Sequence, residues 1–267
     1  MKNLTIYCMS TNNNNLDIIK SLNYVPVGLK NNNFSDEWLR DDTGDNISYK
    51  NSNYGEYTFY YWYWKNLLKF KQEKTWIGFC SYREYWKNNN FNKTKNLKDL
   101  VIQNLPSEWD TYDVILGEPI KINDTKLSKI LKYGKLAILN NLRAITKKGR
   151  NIKWHFDMYH GVGNLDKAID LLPLDDREEF RNFTRKNYEY SRGNVFITKS
   201  SKIMNAYFEY IFTWLKKCEE VFGFNLKGYG QLRIYAFLAE RFLPFWFKKN
   251  AKCLEWPMLF YDINKLN

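Results

Sequence analysis

The sequence predicts an α/β domain whose second half is largely helical, and three observations carry that reading. Short runs of aliphatic and aromatic residues, closed by Gly, Pro, Ser or Asn, recur through the first 120 residues. Segments with three-and-four apolar spacing alternate with them and dominate after residue 160. No internal repeat and no stretch rich in Gly, Pro or Ser divides the 267 residues, so a single domain is expected over 1–267.

The elements follow from the same signals. Residues 4–9 read as a buried strand ending in the polar stretch 10–14, and 24–28 as a second strand. Residues 54–70 read as a helix, since Tyr57, Tyr60, Tyr61, Trp64, Leu67 and Leu68 share one face. Residues 75–80, 112–116 and 194–198 have the composition of buried strands, the second closed by Gly117 and Pro119. Helical spacing returns at 165–172, 175–183, 203–221 and 231–242, with Asp175 and Asp176 after Pro173 at a helix start, where the dipole favours acids. Three Asn-rich stretches, 12–15, 31–33 and 88–90, read as loop filler marking boundaries.

Composition narrows the class. Apolar residues make up 44% and charged residues 26%, which excludes a disordered chain. No uninterrupted apolar run approaches the roughly 18 residues of a membrane span. Residues 1–7 lack a signal peptide's apolar core and cleavage site, so a cytoplasmic setting is expected. Cys8, Cys80, Cys218 and Cys253 are scattered, and His155 and His160 are the two histidines, a set that does not suggest structural zinc or disulfides. With 41 Lys and Arg against 29 Asp and Glu the chain carries +12, which calls for an anionic partner.

Two clusters concentrate polar chemistry. Asp41-Asp42-Thr43-Gly44-Asp45-Asn46-Ile47-Ser48-Tyr49-Lys50-Asn51, just before the aromatic helix, offers acceptors for sugar or ribose hydroxyls, a cation at Lys50 and a helix N-terminus for an anion. An Asx turn with a helix cap is the alternative. The second cluster is a buried strand running into Tyr82-Arg83-Glu84-Tyr85, at the strand end where open α/β sheets bind ligands. Arg83 has the planar fork that grips a diphosphate, with the Tyr82 hydroxyl beside it. A solvated helix start is the alternative for Arg83 and Glu84.

At these clusters the sequence resembles the bacterial family catalogued as domain of unknown function 4422, found in capsular-polysaccharide and O-antigen gene clusters and regarded as glycosyltransferases. The resemblance rests on Asp41 to Ser48, Lys50-Asn51, Tyr54 with Glu56, Tyr61-Trp62-Tyr63-Trp64-Lys65-Asn66 and Ser81-Tyr82-Arg83-Glu84-Tyr85. His160, Asn194-Val195-Phe196-Ile197, Phe212-Thr213-Trp214-Leu215, Arg233 and Ala239-Glu240-Arg241-Phe242 follow in the family's order, so it spans residues 24 to about 247. Ser81 stands where the family has His, and Glu84 where it has a second Arg.

The resemblance implies a GT-A-like, Rossmann-type nucleotide-sugar-binding domain, with 1–120 as the donor-binding half and 121–267 as a mostly helical acceptor-side half. It implies transfer of a sugar, a UDP-hexose such as galactose in furanose or pyranose form, from a nucleotide-diphosphate donor to a growing capsular or lipopolysaccharide glycan. Many GT-A enzymes hold a divalent metal with Asp-x-Asp, which occurs nowhere here. Arg83 with Lys50 or Lys65 is therefore expected in the metal's place; Mg²⁺ or Mn²⁺ is admitted but not required. Ser10, Asp45, Asn46, Lys50, Asn51, Glu56, Lys65, Tyr82 and Arg83 are the expected donor contacts, with Glu56 holding Lys50 or the donor sugar. His160, Asn194 and Arg233 are expected on the acceptor side. Asp157, Glu189 and Glu240 are the candidate bases, Asp157 and Glu240 ranking with Arg83 as catalytic candidates, and Glu240-Arg241 reads equally as a structural ion pair.

Two other readings stand beside this one. A basic, aromatic-rich chain also suits a single-stranded nucleic-acid binder, although its cations are spread and no RNA- or DNA-binding signature occurs. An inactive carbohydrate-binding homologue would accommodate Ser81 and Glu84. Lys147-Lys148, Arg150 and Lys248-Lys249 beside Phe245-Trp246-Phe247 suggest peripheral contact with an anionic membrane carrying lipid-linked acceptors.

Overall fold

The computed structural model describes residues 4–30, 33–71, 73–89, 96–191 and 193–265. Residues 31–32 and 90 of the Asn-rich stretches, and the first three of the chain, lie outside them. Among the described residues the strands are β1 (Leu4–Ser10), β2 (Val25–Gly28), β3 (Leu39–Arg40), β4 (Trp76–Ser81), β5 (Glu84–Trp86), β6 (Val114–Gly117), β7 (Pro119–Lys121), β8 (Glu189–Ser191), β9 (Phe196–Thr198), β10 (Cys253–Trp256) and β11 (Met258–Phe260). The five expected strands are β1, β2, β4, β6 and β9, each within about two residues of its expected bounds.

The main sheet runs β10-β6-β9-β4-β1-β2-β3, and β5 and β11 pair beside β4. β1 is parallel to β2 and β4, while β9 lies antiparallel between β4 and β6. β4 is apolar and buried along most of its length because both of its faces are covered. After β1 the chain builds β2 and β3 on one side, then crosses to place β4 on the other. That switch opens a crevice beyond the carboxyl ends of β1 and β4, where Ser10, Gly28 and Ser81 end in near register.

The helices are α1 (Leu16–Ser21), α2 (Asn51–Tyr54), α3 (Tyr57–Asn66), α4 (Leu97–Leu100), α5 (Leu127–Tyr133), α6 (Lys135–Asn140), α7 (Ile152–His160), α8 (Asn164–Ile169), α9 (Leu174–Lys186), α10 (Ser201–Phe222), α11 (Tyr229–Leu232) and α12 (Ile234–Asn250). The continuous helix expected over 54–70 is broken. Gly55, at φ +55°, separates α2 from α3, and Leu68–Phe70 is a 3₁₀ turn. Its one-sided apolar face is also wrong, because Phe59, Trp62 and Tyr63 are as buried as Tyr57 and Tyr60. Phe59, Tyr60 and Tyr63 pack on Tyr7 and Phe79 of the sheet, whereas Tyr57, Tyr61 and Trp64 meet Phe212 of α10. The half-buried positions of α3 are Tyr61, Trp64, Lys65 and Asn66, so its open face is itself aromatic and contrasts little in hydropathy with the buried one.

Two further expectations change. The helix expected to end at 242 continues through Pro244 to Asn250, held by Phe245, Trp246 and Phe247, which are buried. These rings cannot enter a membrane, and Lys248 and Lys249 are paired with Glu255, Asp176 and Glu179. Nor is the 12–15 stretch filler. Asn15 is buried and donates to the Ser10 hydroxyl at 2.9 Å and to Asn264 at 2.9 Å, tying the end of β1 to the C-terminal segment. No helix among the described residues is long and apolar enough to cross a membrane.

A buried polar network joins α2 and α3 to the end of β3. The Thr58 hydroxyl donates to the Asp41 carboxylate at 2.5 Å, and Asn51 donates to Thr58 at 2.9 Å and to the Gly55 carbonyl at 3.0 Å. Burial pushes the Asp41 carboxyl up to about 6, against the pull of the Thr58 bond. A raised folded-state value means that ionising Asp41 costs stability, a cost absent below about pH 4 and complete above about pH 6. Asp41→Asn should therefore remove about 2–3 kcal/mol of pH-dependent stability across that window, read as a flatter pH profile in urea titrations.

Candidate active site

β4 and β5 form a tight hairpin, Ser81 opposite Glu84, whose turn is Tyr82-Arg83. The helix start weighed for Arg83 and Glu84 is absent, and the turn places the exposed Arg83 beyond the carboxyl end of β4. Arg83 lies over the Tyr82 ring, 5.0 Å from its centroid, and its carbonyl accepts from Tyr261 of the C-terminal segment at 3.0 Å. Beyond this turn lies a cavity of about 260 Å³ lined by Ser81, Arg83 and Glu84, by Glu56, by Asn194, and by Arg233, Phe237 and Glu240.

Each charged wall residue has a structural reason for its place. Glu56 precedes α3 and meets Arg233, which precedes α12, at 3.4 Å. Gly55 makes room for that guanidinium, since a Cβ would collide with it. Gly193, at φ +75°, plays the same part for Glu84, against whose carboxylate a Cβ would fall. The Gly193 N–H donates to one Glu240 oxygen at 2.9 Å, and the other pairs with Arg241. Asn194 donates to the Ala236 carbonyl at 3.3 Å, while its own side-chain oxygen is buried without a protein partner.

A second cavity, of about 760 Å³, adjoins the first and shares Tyr229, Phe237 and Glu240 with it. His155, Tyr159 and His160 of α7, Tyr190, Arg241, and Lys129 and Tyr133 of α5 also line it. His160 stacks on Phe237 at 4.0 Å, and its Nδ1 lies 2.9 Å from the Gly230 carbonyl, which can only accept. Nδ1 therefore carries the proton. Burial, and then the Arg241 charge, lower this imidazole to about 3, so it is neutral near pH 7. His155 is held neutral by the same two causes.

Of the residues singled out in the sequence, Glu56, Arg83, Asn194, Arg233 and Glu240 converge on the smaller cavity, and His160 on the larger. Tyr82 stands beside Arg83 without lining either. Others have structural duties. The Ser10 hydroxyl is buried, accepting from Asn12 N–H at 3.0 Å and from Asn15. Lys50 pairs with Glu219 of α10 at 2.6 Å, not with Glu56. Asn46 makes an Asx turn to Ser48, Asp45 is tied through its backbone to Asn66, and Lys65 lies over Trp64, 3.5 Å from the ring centroid. Asp45 and Lys65 thus sit at the far end of α3 from Glu56, about 14 Å away at the helical rise. Asp157 pairs with Lys153 and accepts the Gly163 N–H at 3.2 Å, with its carboxyl raised by burial; it lines neither cavity. Glu189 opens β8 and lines neither cavity.

Asn51 lines a third cavity, of about 430 Å³, with Lys30, Asp42, Ser48, Tyr49 and Ser52, at the carboxyl ends of β2 and β3. The sequence reading missed Lys30, the aromatic wall formed by Tyr159, Tyr190, Tyr229 and Phe237, and Gly193. For Tyr229 the nearest signal was its place between Gly228 and Gly230, a turn immediately before the last long helix. Among the described residues no three His, Cys, Asp or Glu side chains converge as metal ligands.

The architecture has a solved counterpart. The chain is similar to the structure described as the WbbM bifunctional glycosyltransferase in its apo form, with a TM-score of 0.69 at 19% identity. The match covers 97% of this chain and 45% of that one, so the present chain spans less than half of that protein's length. The likeness establishes a GT-A-like fold. No curated protein matches the sequence. The family described as Domain of unknown function (DUF4422) matches residues 5–251, nearly the whole length, and the chain belongs to that family.

Proposed function

We propose that this protein is a glycosyltransferase that moves a sugar from a nucleotide-diphosphate donor to a glycan acceptor. The observation that carries the reading is Arg83, held at the switch-point end of β4 over a cavity that opens onto a second, aromatic-walled one. A sugar-sized space beside the Arg83 guanidinium suits the donor's hexose and diphosphate, and the cavity beside Asn51 and Lys30 suits the nucleoside. The larger cavity suits the acceptor, because tyrosine and phenylalanine faces stack on the apolar faces of sugar rings while their polar neighbours meet hydroxyls.

In the transfer, an acceptor hydroxyl oxygen bonds to the anomeric carbon as the bond to the diphosphate breaks. The electron pair leaves with the diphosphate, where Arg83 compensates the growing negative charge. Glu240, the carboxylate common to both cavities, is the base to which this reading assigns the acceptor's proton. Gly193 and Arg241 fix its orientation, and Glu56 with Arg233 closes the opposite wall. The donor we favour is a UDP-hexose, galactose in furanose or pyranose form among them, and the acceptor a capsular or lipopolysaccharide glycan built at the inner face of the cell membrane.

Arg83→Ala should lower transfer by about 10²–10³-fold, with Arg83→Lys recovering part of it, because charge without the planar fork is a partial substitute. Glu240→Gln should cost about 10²–10⁴-fold in kcat while leaving donor binding within a few-fold. Radiolabelled sugar transfer from UDP-galactose to lipid-linked acceptor extracts would read both, and wild-type rates for Arg83→Ala would sink the assignment. Turnover should survive excess EDTA; strict dependence on Mn²⁺ or Mg²⁺ would replace Arg83 with a metal as the diphosphate's counter-charge.

A further inference from the structure

The segment from β7 to α7 inverts the usual burial rule. Ala137 and Ala144 face inward, against Ile130, Trp154 and Met158, while Leu136, Leu139, Leu142 and Ile145 face solvent and are 62–70% exposed. Leu136 and Leu139 share a face of α6, and Leu142 and Ile145 a face of the 3₁₀ turn that follows after Asn141, so the exposed residues form two adjoining apolar pairs and are not scattered. The framework beneath is fixed. Arg150 is buried and donates to the carbonyls of Ala144, Ile145, Asn123 and Thr125 at 2.9–3.3 Å, and Gly149 packs so closely on Arg143 that a Cβ would overlap its backbone.

Charge is concentrated on the same segment. Residues 121–150 carry nine Lys and Arg against the single Asp124, a net +8 of the chain's +12. Lys126, Lys129, Lys132, Lys135, Arg143 and Lys148 are exposed around these pairs, and Lys147 pairs with Asp124.

We propose that this face docks on an anionic lipid bilayer, the leucines and Ile145 entering the interface while the surrounding cations meet lipid phosphates. An apolar face rimmed by Lys and Arg is the pattern that anionic interfaces select, and it needs no matching shape on the partner. A second copy would bring two strongly positive faces together. A nucleic acid would leave the aliphatic face without the stacked rings that single strands use. Lys129 and Tyr133 of α5 also line the larger cavity, so docking would turn that cavity's mouth toward the bilayer; this consequence alone rests on the transferase reading.

Cosedimentation of the full chain with vesicles tests the proposal. The chain should pellet with phosphatidylcholine vesicles containing phosphatidylglycerol, not with phosphatidylcholine alone, and high salt should release it. Leu139→Glu/Leu142→Glu should weaken that binding at least ~10-fold, with no change in thermal midpoint because both side chains are exposed. Leu174→Glu, at an exposed leucine beside Asp175 and Asp176, should bind as the wild type does. Equal pelleting with both vesicle types, or undiminished binding by the double variant, would overturn the proposal. So would a concentration-dependent dimer or an oligonucleotide complex that the double variant abolishes while vesicle binding persists. Vesicle binding is read without sugar transfer, so a chain that docks but does not transfer would defeat the transferase reading and leave this one standing.

Discussion

The arrangement depends on burying α3 from both sides. Tyr57, Phe59, Tyr60, Trp62 and Tyr63 are almost wholly withdrawn from water between the sheet and α10, and a fully buried aromatic side chain contributes about 2–3 kcal/mol relative to exposure. Two of the hydroxyls are met as well: that of Tyr57 lies 2.5 Å from that of Tyr207, and Tyr60 donates to the Asn194 carbonyl. This last bond has a functional consequence. It ties α3 to the segment carrying Gly193 and Asn194, so the helix that presents Glu56 and the loop that orients Glu240 are one packed unit. With α3 fixed, its N-terminal end defines one wall of the smaller cavity, and the Asp45 loop is carried to the opposite end.

That geometry explains which site residues were legible in the sequence. Arg83 was legible because a buried apolar strand followed at once by a polar turn marks the carboxyl end of a strand, and such ends at a switch point bind ligands. Glu56, Arg233, Glu240 and Asn194 came through the family pattern, and residue type alone would not have distinguished them from Lys50 or Asn51. What separates these groups is their partners. Lys50 is neutralised by Glu219, 169 positions later, and Ser10 is covered by a network that reaches Asn264. No local window contains such information. The strands were legible for the opposite reason: their burial leaves a contiguous signature within six or seven residues. α3 was misread as amphipathic because its second covering layer, α10, lies about 150 residues further on.

Charge shows a similar contrast between total and distribution. The excess of +12 first suggested cations spread along the chain and gathered at the diphosphate site. Instead, the smaller cavity's wall carries Arg83 and Arg233 with Glu56, Glu84 and Glu240, balanced once Arg241, which pairs with Glu240 from the larger cavity, is counted, and the excess is displaced onto residues 121–150. A balanced site can hold its carboxylates and guanidiniums in fixed orientation before a substrate arrives, whereas an excess of one sign would be repelled from its own centre.

The buried histidines bear on how that balance is kept. Arg241 is almost wholly buried, packed at 4.0 Å from the Tyr190 ring centroid, with one side-chain nitrogen close to His155. A protonated imidazole beside it would place two cations in a low-dielectric space, where Glu240 pairs with Arg241 alone. Neutral His155 and His160 avoid this, so the Arg241–Glu240 pair keeps its full attraction and Glu240 stays aimed between the two cavities. The imidazoles therefore act on the site through the field at Arg241, and His160 additionally braces Phe237, the ring that forms part of both cavity walls. A sequence shows two histidines five positions apart; that both are uncharged follows from their burial, and then from the arginine charge beside them.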